Sequence, residues 1–261
     1  MAKKFFGWVY VLAVLLFFYL PVLVLMLMSF NESRYGSLPF NFSTQWYSAL
    51  WQNQKLMQSA ANSILLALLV ALVCVLLATA LVLGEDGAGK KIRAFVNGII
   101  VLPLLIPWLI LGLSLLLLQR SLGIDKNYLF LLIGHIVVSF PYAYLVISTR
   151  HEDMNKEIIE ASYNLGANEW TTFRRITVPM LAPGMLAGGF LSFMISFDNF
   201  VTSLFLIPTG DTTLPIEIYS SVKFGFTPEI NAISTIILLS SMIIITLIAV
   251  FMRSTLLKLM K

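Results

Sequence analysis

"EASYNLGANEWTTFRRITVP", Glu160–Pro179, is a polar island in a chain made mostly of hydrocarbon. It reads as two short helices joined by a bend. Asn155 suits the N-cap of the first, with Glu157 in the opening turn, where the helix dipole favours negative charge. Ile158, Ala161, Ser162 and Leu165 fall at i, i+3, i+4 and i+7 and share one face. Gly166 supplies the left-handed stop that other residues resist. Asn168 can cap a second helix carrying Trp170, Phe173 and Thr177 on one side, with Arg174 and Arg175 at its C-terminal end. Pro179 and Pro183 are expected to end that helix before the next apolar run. The apolar face mixes large side chains with a close-contact patch at Ala161 and Ser162. Such a face either seeks a foreign partner or folds back onto the chain's own helices, and these residues alone leave both open.

Around the island the chain is 59% hydrophobic and 11% charged, with a mean hydropathy of +0.89. Soluble domains carry about 25% charged residues. Six apolar runs, at roughly 6–30, 59–83, 94–118, 128–148, 182–207 and 229–252, are each long enough for a hydrocarbon core of ~30 Å. These spans and their connectors use up residues 1–261, which reads as a single domain with one large polar excursion at 150–181. The first run follows Lys3 and Lys4 but is too long for a secretory signal core and lacks a small-x-small cleavage site, so it is read as a retained helix. Five of the 17 lysines and arginines, namely Arg34, Lys55, Arg120, Lys126 and Lys223, fall on one side of the spans and the rest on the other. The positive-inside rule then places both termini and the island in the cytoplasm. A net charge of +4 is ordinary for such an arrangement and does not point to nucleic acid.

Catalysis finds no constellation. Cys74, the only cysteine, belongs to a stripe of small residues (Ala60, Ser63, Ala67, Ala71, Cys74, Ala78) suited to close helix packing. "GEDGAGKK", Gly84–Lys91, has the outline of a phosphate loop. It follows a membrane helix rather than a strand, lacks the Ser/Thr for Mg²⁺, and carries Glu85 and Asp86, which repel phosphate. His135 and His151 have no metal-ligand spacing about them; His135 reads as an interhelical hydrogen-bonding group.

Asp198 is the only acidic residue inside a span, where a charge costs roughly 2.5–3.5 kcal/mol and marks a solute path or a paired charge. Ser196, Asn199, Thr202 and Ser203 stand near it, and an ammonium would gain a charge-assisted hydrogen bond from the carboxylate. A structural ion pair with a neighbouring helix or subunit is the other reading. Phe197, Phe200, Tyr142 and Tyr144 either offer cation–π contact or pack. Pro103, Pro107 and Pro141 permit bends, and Gly184, Gly188 and Gly189 permit close helix approach. The stretch 208–229 reads as a short helix from Pro215, a stop at Gly225, and Thr227–Pro228 capping the last span, forming an outer gate or a static cap.

The island resembles the EAA loop of permease subunits in binding-protein-dependent ABC importers, whose pattern is EAA-x3-G-x9-I-x-LP. Glu160, Ala161, Gly166, Ile176 and Pro179 match in register, while Ser162 replaces the second alanine and Val178 the leucine. "SFNESRYG" (Ser29–Gly36), "FSTQWYSALW" (Phe42–Trp51), "FDNFVTSLFL" (Phe197–Leu206) and "LPIEIYSSVKFGFTPEINAISTI" (Leu214–Ile236) are similar to the second permeases of spermidine/putrescine importers. Close relatives often carry two acidic residues where Asp198-Asn199 stands, which leaves the solute open. The resemblance implies an all-α integral membrane protein with six transmembrane helices, the type I ABC importer permease fold and a cytoplasmic coupling loop. Glu160, Ala161, Ser162, Leu165, Gly166, Ile176 and Pro179 would dock an ATPase; Asp198, Asn199, Ser196, Thr202, His135 and Tyr142 would line the substrate path. It further implies no catalytic or metal residues and no cofactor of its own, since ATP and Mg²⁺ would be bound by the partner. The partners would be an ATPase dimer, a second homologous permease, an extracytoplasmic substrate-binding protein and membrane lipid, all at a bacterial inner membrane. Two rivals remain: the same importer class carrying an opine, an amino-phosphonate or another small nitrogenous solute, and a stand-alone secondary carrier.

Overall fold

Backbone amides have no water to bond in hydrocarbon, so long apolar runs must satisfy them internally, as helices do. The computed structural model describes residues 2–34, 37–225 and 228–259, and these are helical nearly throughout. The helices are α1 (Ala2–Met28), α2 (Gln45–Gln52), α3 (Gln54–Gly84), α4 (Lys90–Leu105), α5 (Trp108–Ser121), α6 (Tyr128–Glu152), α7 (Lys156–Asn164), α8 (Glu169–Thr172), α9 (Val178–Phe197), α10 (Phe200–Leu206), α11 (Leu214–Phe224) and α12 (Glu229–Leu259). A π-helical segment, Phe173–Thr177, joins α8 to α9. Among the described residues the one extended pairing is an isolated bridge between Asn31 and Phe42. Thr227, the expected cap of α12, lies outside the described residues, as do Tyr35, Gly36, Lys261 and the side chains of Lys3, Lys4, Arg253 and Lys258.

Five helical stretches among the described residues are long and apolar enough to cross a membrane: Phe6–Met28, Gln54–Gly84, Tyr128–Glu152, Glu169–Phe197 and Glu229–Leu247. α4 and α5 make a sixth if taken as one broken span, bent by 104°. The expected continuous helix over 94–118 is therefore interrupted. Pro107 has no N–H to continue α4, and it drives Ile106 to an extended conformation (φ −90°, ψ 129°). Pro103 and Pro141 stay inside their helices. The run expected over 182–207 is also divided, between Phe197 and Phe200, with no proline at the division.

The chain forms two compact units. One comprises the described residues up to Met57 with those of Ile218–Phe251; the other comprises Gln58–Glu217 and the end of α12. In the first, the turn after α1 is pinned by its aromatic residues. Trp46 Nε1 donates to the Asn31 carbonyl at 2.7 Å, Ser29 Oγ and the Tyr47 hydroxyl lie 2.8 Å apart, and Phe30 stacks on Phe42.

In the second unit, Ser63, Ala67, Cys74 and Ala78 of the small-residue stripe are buried, so α3 presents that face to the core. The start of α11 is tied to α3: Asn62 Nδ2 donates to the Thr212 carbonyl at 3.0 Å, and the Leu214 amide donates to Ser63 Oγ at 2.8 Å. α6 and α9 pack antiparallel at backbone distance. A Cβ on Gly188 would come within 3.1 Å of the Ala143 carbonyl oxygen, and one on Gly184 within 2.6 Å of Arg150 Cβ. Small residues at such a seam let dispersion and backbone contacts replace the hydrophobic drive that lipid removes. Arg150 Nε closes the seam by donating to the Met180 carbonyl at 3.0 Å.

Candidate functional site

The island folds through its local chemistry. Asn155 Oδ1 accepts from the Glu157 amide at 2.9 Å and opens α7; Asn168 Oδ1 accepts from the Thr171 amide at 2.8 Å and opens α8. Gly166, at φ +83°, ends α7. The Ala167 amide returns to the Ser162 carbonyl and the Gly166 amide to the Tyr163 carbonyl, the two bonds of a Schellman stop. The result is an exposed knob. Leu165 is 89% exposed and Trp170 67%, the latter stacked on Phe173, while Glu160 and Ala161 are also open.

Two expectations for this element are corrected. Ser162 does not share the outward patch with Ala161: it is buried, donating to the Ile159 carbonyl and 2.8 Å from Thr172 Oγ1, so it locks α7 onto α8. Pro179 and Pro183 do not end the second helix. The Val178 amide reaches back to the Phe173 carbonyl, one residue further than an α-helical bond, and the wider turn carries the helix past Pro179. The same widening shifts the helix phase, which turns Thr177 inward, away from Trp170. Glu169–Phe197 is consequently one helical rod of 29 residues, about 43 Å long.

The α3–α4 turn braces the base of the knob. Glu85, nearly buried, accepts from the Tyr144 hydroxyl, which is 3.0 Å from both carboxylate oxygens and also meets the Asn97 side-chain amide. Arg93 donates to the Glu85 carbonyl at 3.0 Å. Asp86 lies 2.9 Å from His151 Nε2 and 3.9 Å from Lys156 Nζ, linking the turn to the end of α6 and the start of α7.

At the other end of the rod the helix stops at Asp198. Asn199 Oδ1 accepts from the Thr202 amide at 3.0 Å and opens α10. Asn199 is 1% exposed, and its Nδ2 has no hydrogen-bond partner among the described residues. Asp198 is exposed, and its carboxylate makes no hydrogen bond or ion pair among the described residues. His135 of α6 has no exposed surface and lies 2.9 Å from Ser196 Oγ and 3.1 Å from Ser203 Oγ. The interruption is thus lined by buried polar groups, with a single free acid on its open side. That acid stands where α9 ends and α10 begins; the two opposed helix termini offset each other, which leaves the carboxylate itself as the charge that favours a cation there.

Residues 77–258 match the family described as binding-protein-dependent transport system inner membrane component. The chain belongs to that family. It is 34% identical over 233 residues to the spermidine/putrescine transport system permease protein PotC of Escherichia coli strain K12, covering 89% of this chain and 88% of the relative. It is 36% identical over 230 residues to the putrescine transport system permease protein PotI of the same strain, covering 85% and 82%. The fold matches the crystal structure of a bacterial ABC transporter involved in the import of the acidic polysaccharide alginate. That match has a TM-score of 0.71 at 15% identity and covers 95% of this chain and 97% of the other. The chain is an inner-membrane transport component with an ABC importer permease fold, not an enzyme.

The permease brings Ser196, Asp198, Asn199, Thr202 and His135 together around one helix interruption. Tyr142 is not among them: it stands two turns along α6 from His135, half-buried, with its hydroxyl unbonded among the described residues. Tyr144 points elsewhere, to Glu85. Of the island residues, Glu160, Ala161, Leu165 and Pro179 are outward, Ile176 is half-buried, Ser162 is inward, and Gly166 makes the turn. Sequence reasoning marks Ser203 only as a nearby polar group and misses the Glu85–Tyr144 bond. A histidine in an apolar helix needs two partners, and that requirement is the available signal for Ser203.

Proposed function

We propose that this chain is the permease subunit of an ABC importer for polyamines of the spermidine and putrescine kind, powered by a separate ATPase. The observation that carries the cargo class is Asp198: a free carboxylate on the open side of a break in an otherwise apolar span. Facing lipid, it would cost roughly 2.5–3.5 kcal/mol. Facing a path shared with a second, homologous permease, it meets water and cargo instead. An alkylammonium there gains a charge-assisted bond to Asp198. The names of the two relatives, one for spermidine and putrescine and one for putrescine, support the same class. The resemblance of the loop and the family's dependence on a binding protein support three kinds of partner: an ATPase pair, a second permease and an extracytoplasmic substrate-binding protein. Both termini and the knob lie in the cytoplasm in this reading, where ATP and Mg²⁺ stay with the ATPase.

The knob is where the ATPase grips. Leu165 and Trp170 offer the apolar contact, and Ser162 and Thr172 hold α7 and α8 as one body. Motion of that body passes into the Glu169–Phe197 rod without a joint, because the π-helical segment replaces the break that Pro179 would otherwise force. The rod moves together with α6, to which it is packed at backbone distance, and its far end carries Asp198. The test is uptake of spermidine and putrescine by membranes rebuilt with every subunit. Asp198→Asn should cut uptake about 10- to 100-fold, the worth of a bond to a charged group; unchanged uptake sinks the cation path. Leu165→Asp should lose the co-purifying ATPase while leaving the permease in the membrane, and full retention would refute docking at the knob.

A further inference from the structure

His135 has no exposed surface, so it does not itself meet cargo, yet it contacts the interruption from both sides. Ser196 stands in the last turn of α9, before Asp198, and Ser203 in α10, after Asn199. On an uninterrupted helix, residues seven apart rise by about 10 Å. Here one imidazole holds both, through Nδ1 at 2.9 Å and Nε2 at 3.1 Å. A neutral imidazole has one donor and one acceptor, and a serine hydroxyl can be either, so both bonds are satisfied in each tautomer. Burying the ring is tolerable only while both partners stay in reach. Gly134, the residue before it, keeps α10 close: the space a Cβ would take is filled by Leu206 and Thr202 side chains.

We propose that His135 is a positioning residue of the permease: by bracing Ser196 and Ser203 it fixes the angle between α9 and α10, and so the direction in which residue 198 points. The cargo half of this proposal rests on reading Asp198 as the counter-charge of the solute; the geometric half does not. His135→Leu would strand both serines and endanger the fold, so the test removes one end only, with Ser203→Ala.

Two readouts on the fully assembled importer separate the halves. The first uses Asp198→Cys in a Cys74→Ala chain, Cys74 being the sole native cysteine, with partner subunits free of reactive thiols. Its rate of reaction with a cationic methanethiosulfonate should change by about 2- to 10-fold on adding Ser203→Ala, the range of one lost hydrogen bond. An unchanged rate overturns the brace. The second is spermidine uptake. Ser203→Ala should raise KM by a similar factor with ATP hydrolysis in the absence of cargo unchanged, and should add nothing in an Asp198→Asn chain. An equal rise in both chains shows that Ser203 acts without Asp198 and overturns the proposal. A changed thiol rate with an unchanged KM keeps the brace and overturns the cargo reading of Asp198.

Discussion

Two helical runs of this permease are interrupted, one after Leu105 and one after Phe197, by different chemistry. The first is a backbone event: Pro107 removes a donor, Ile106 goes extended, and the chain turns by 104° with Leu105, Ile106, Pro107 and Trp108 all exposed. The second contains no proline. It is made from side chains that can substitute for helix bonds, with Asn199 capping α10 and His135 bonding across, and apart from Asp198 its lining is buried. The first sets the course of the chain; the second places polar groups inside a span while leaving one charge free. The helices beyond the two breaks then meet: Phe205 and Val201 of α10 lie where a Cβ on Gly112 of α5 would be. α10 is therefore gripped by α5 on one side and α6 on another, through a glycine on each.

If the second interruption is the functional one, forcing α10 away from α6 should do the most damage. Even a methyl at Gly134 would overlap Leu206 and Thr202 side chains. Gly134→Val adds more volume there, and overpacking of this kind costs about 1–3 kcal/mol. We expect uptake to fall about 5- to 150-fold, the kinetic equivalent of that range, with the ATPase still bound, because the knob lies at the far end of the rod. Uptake assays and pull-down on the same preparation read both. Normal transport would mean that α10 does not need its contact with α6.

How far the sequence announces these features depends on the range of the interactions that make them. The knob is legible because Asn155, Gly166 and Asn168 act on amides one to three residues away, and chemistry of that range is written in the chain order. Ser162 is easily misplaced because its partner, Thr172, lies beyond the turn, and helix periodicity says nothing across a turn. Passage through Pro179 is unreadable for a related reason: α- and π-helical turns share one sequence pattern until a proline fits only the wider of them. The interruption at Asp198 hides inside a run that hydropathy averages as one span. Its local mark is present, an Asp-Asn pair with N-cap chemistry in the middle of hydrocarbon, but the pair reads first as charge and only second as backbone. Tyr144 is out of reach, since Glu85 is 59 residues away along the chain.

The next largest effect should come from the cap itself. Asn199→Ala leaves the buried Thr202 amide without its acceptor, at a cost of about 0.5–2 kcal/mol. Uptake should fall about 2- to 30-fold, and the thermal midpoint of the purified assembly should drop by a few degrees. Asn199→Asp keeps an acceptor at the same place and should hold the midpoint nearer to that of the parent. If alanine and aspartate are equally destabilising, the cap is not what opens α10, and the division of the fifth span must come from tertiary packing alone.

Pro107→Ala should do least. The substitution restores a donor and lifts the restraint that the proline places on Ile106, but α5 stays held by its contacts with α10, so packing keeps the bend that Pro107 introduces. A change within about 0.5 kcal/mol, the range of ordinary surface substitutions, is expected, and uptake should stay within about twofold of the parent. A cysteine pair placed in α4 and α5 to report their separation should cross-link alike in the parent and in the Pro107→Ala chain. Loss of that cross-link together with loss of uptake would show that the bend is kept by the proline and needed for transport. In that event the two interruptions would be working parts of equal rank, and the contrast between a backbone bend and a side-chain site would no longer separate architecture from function.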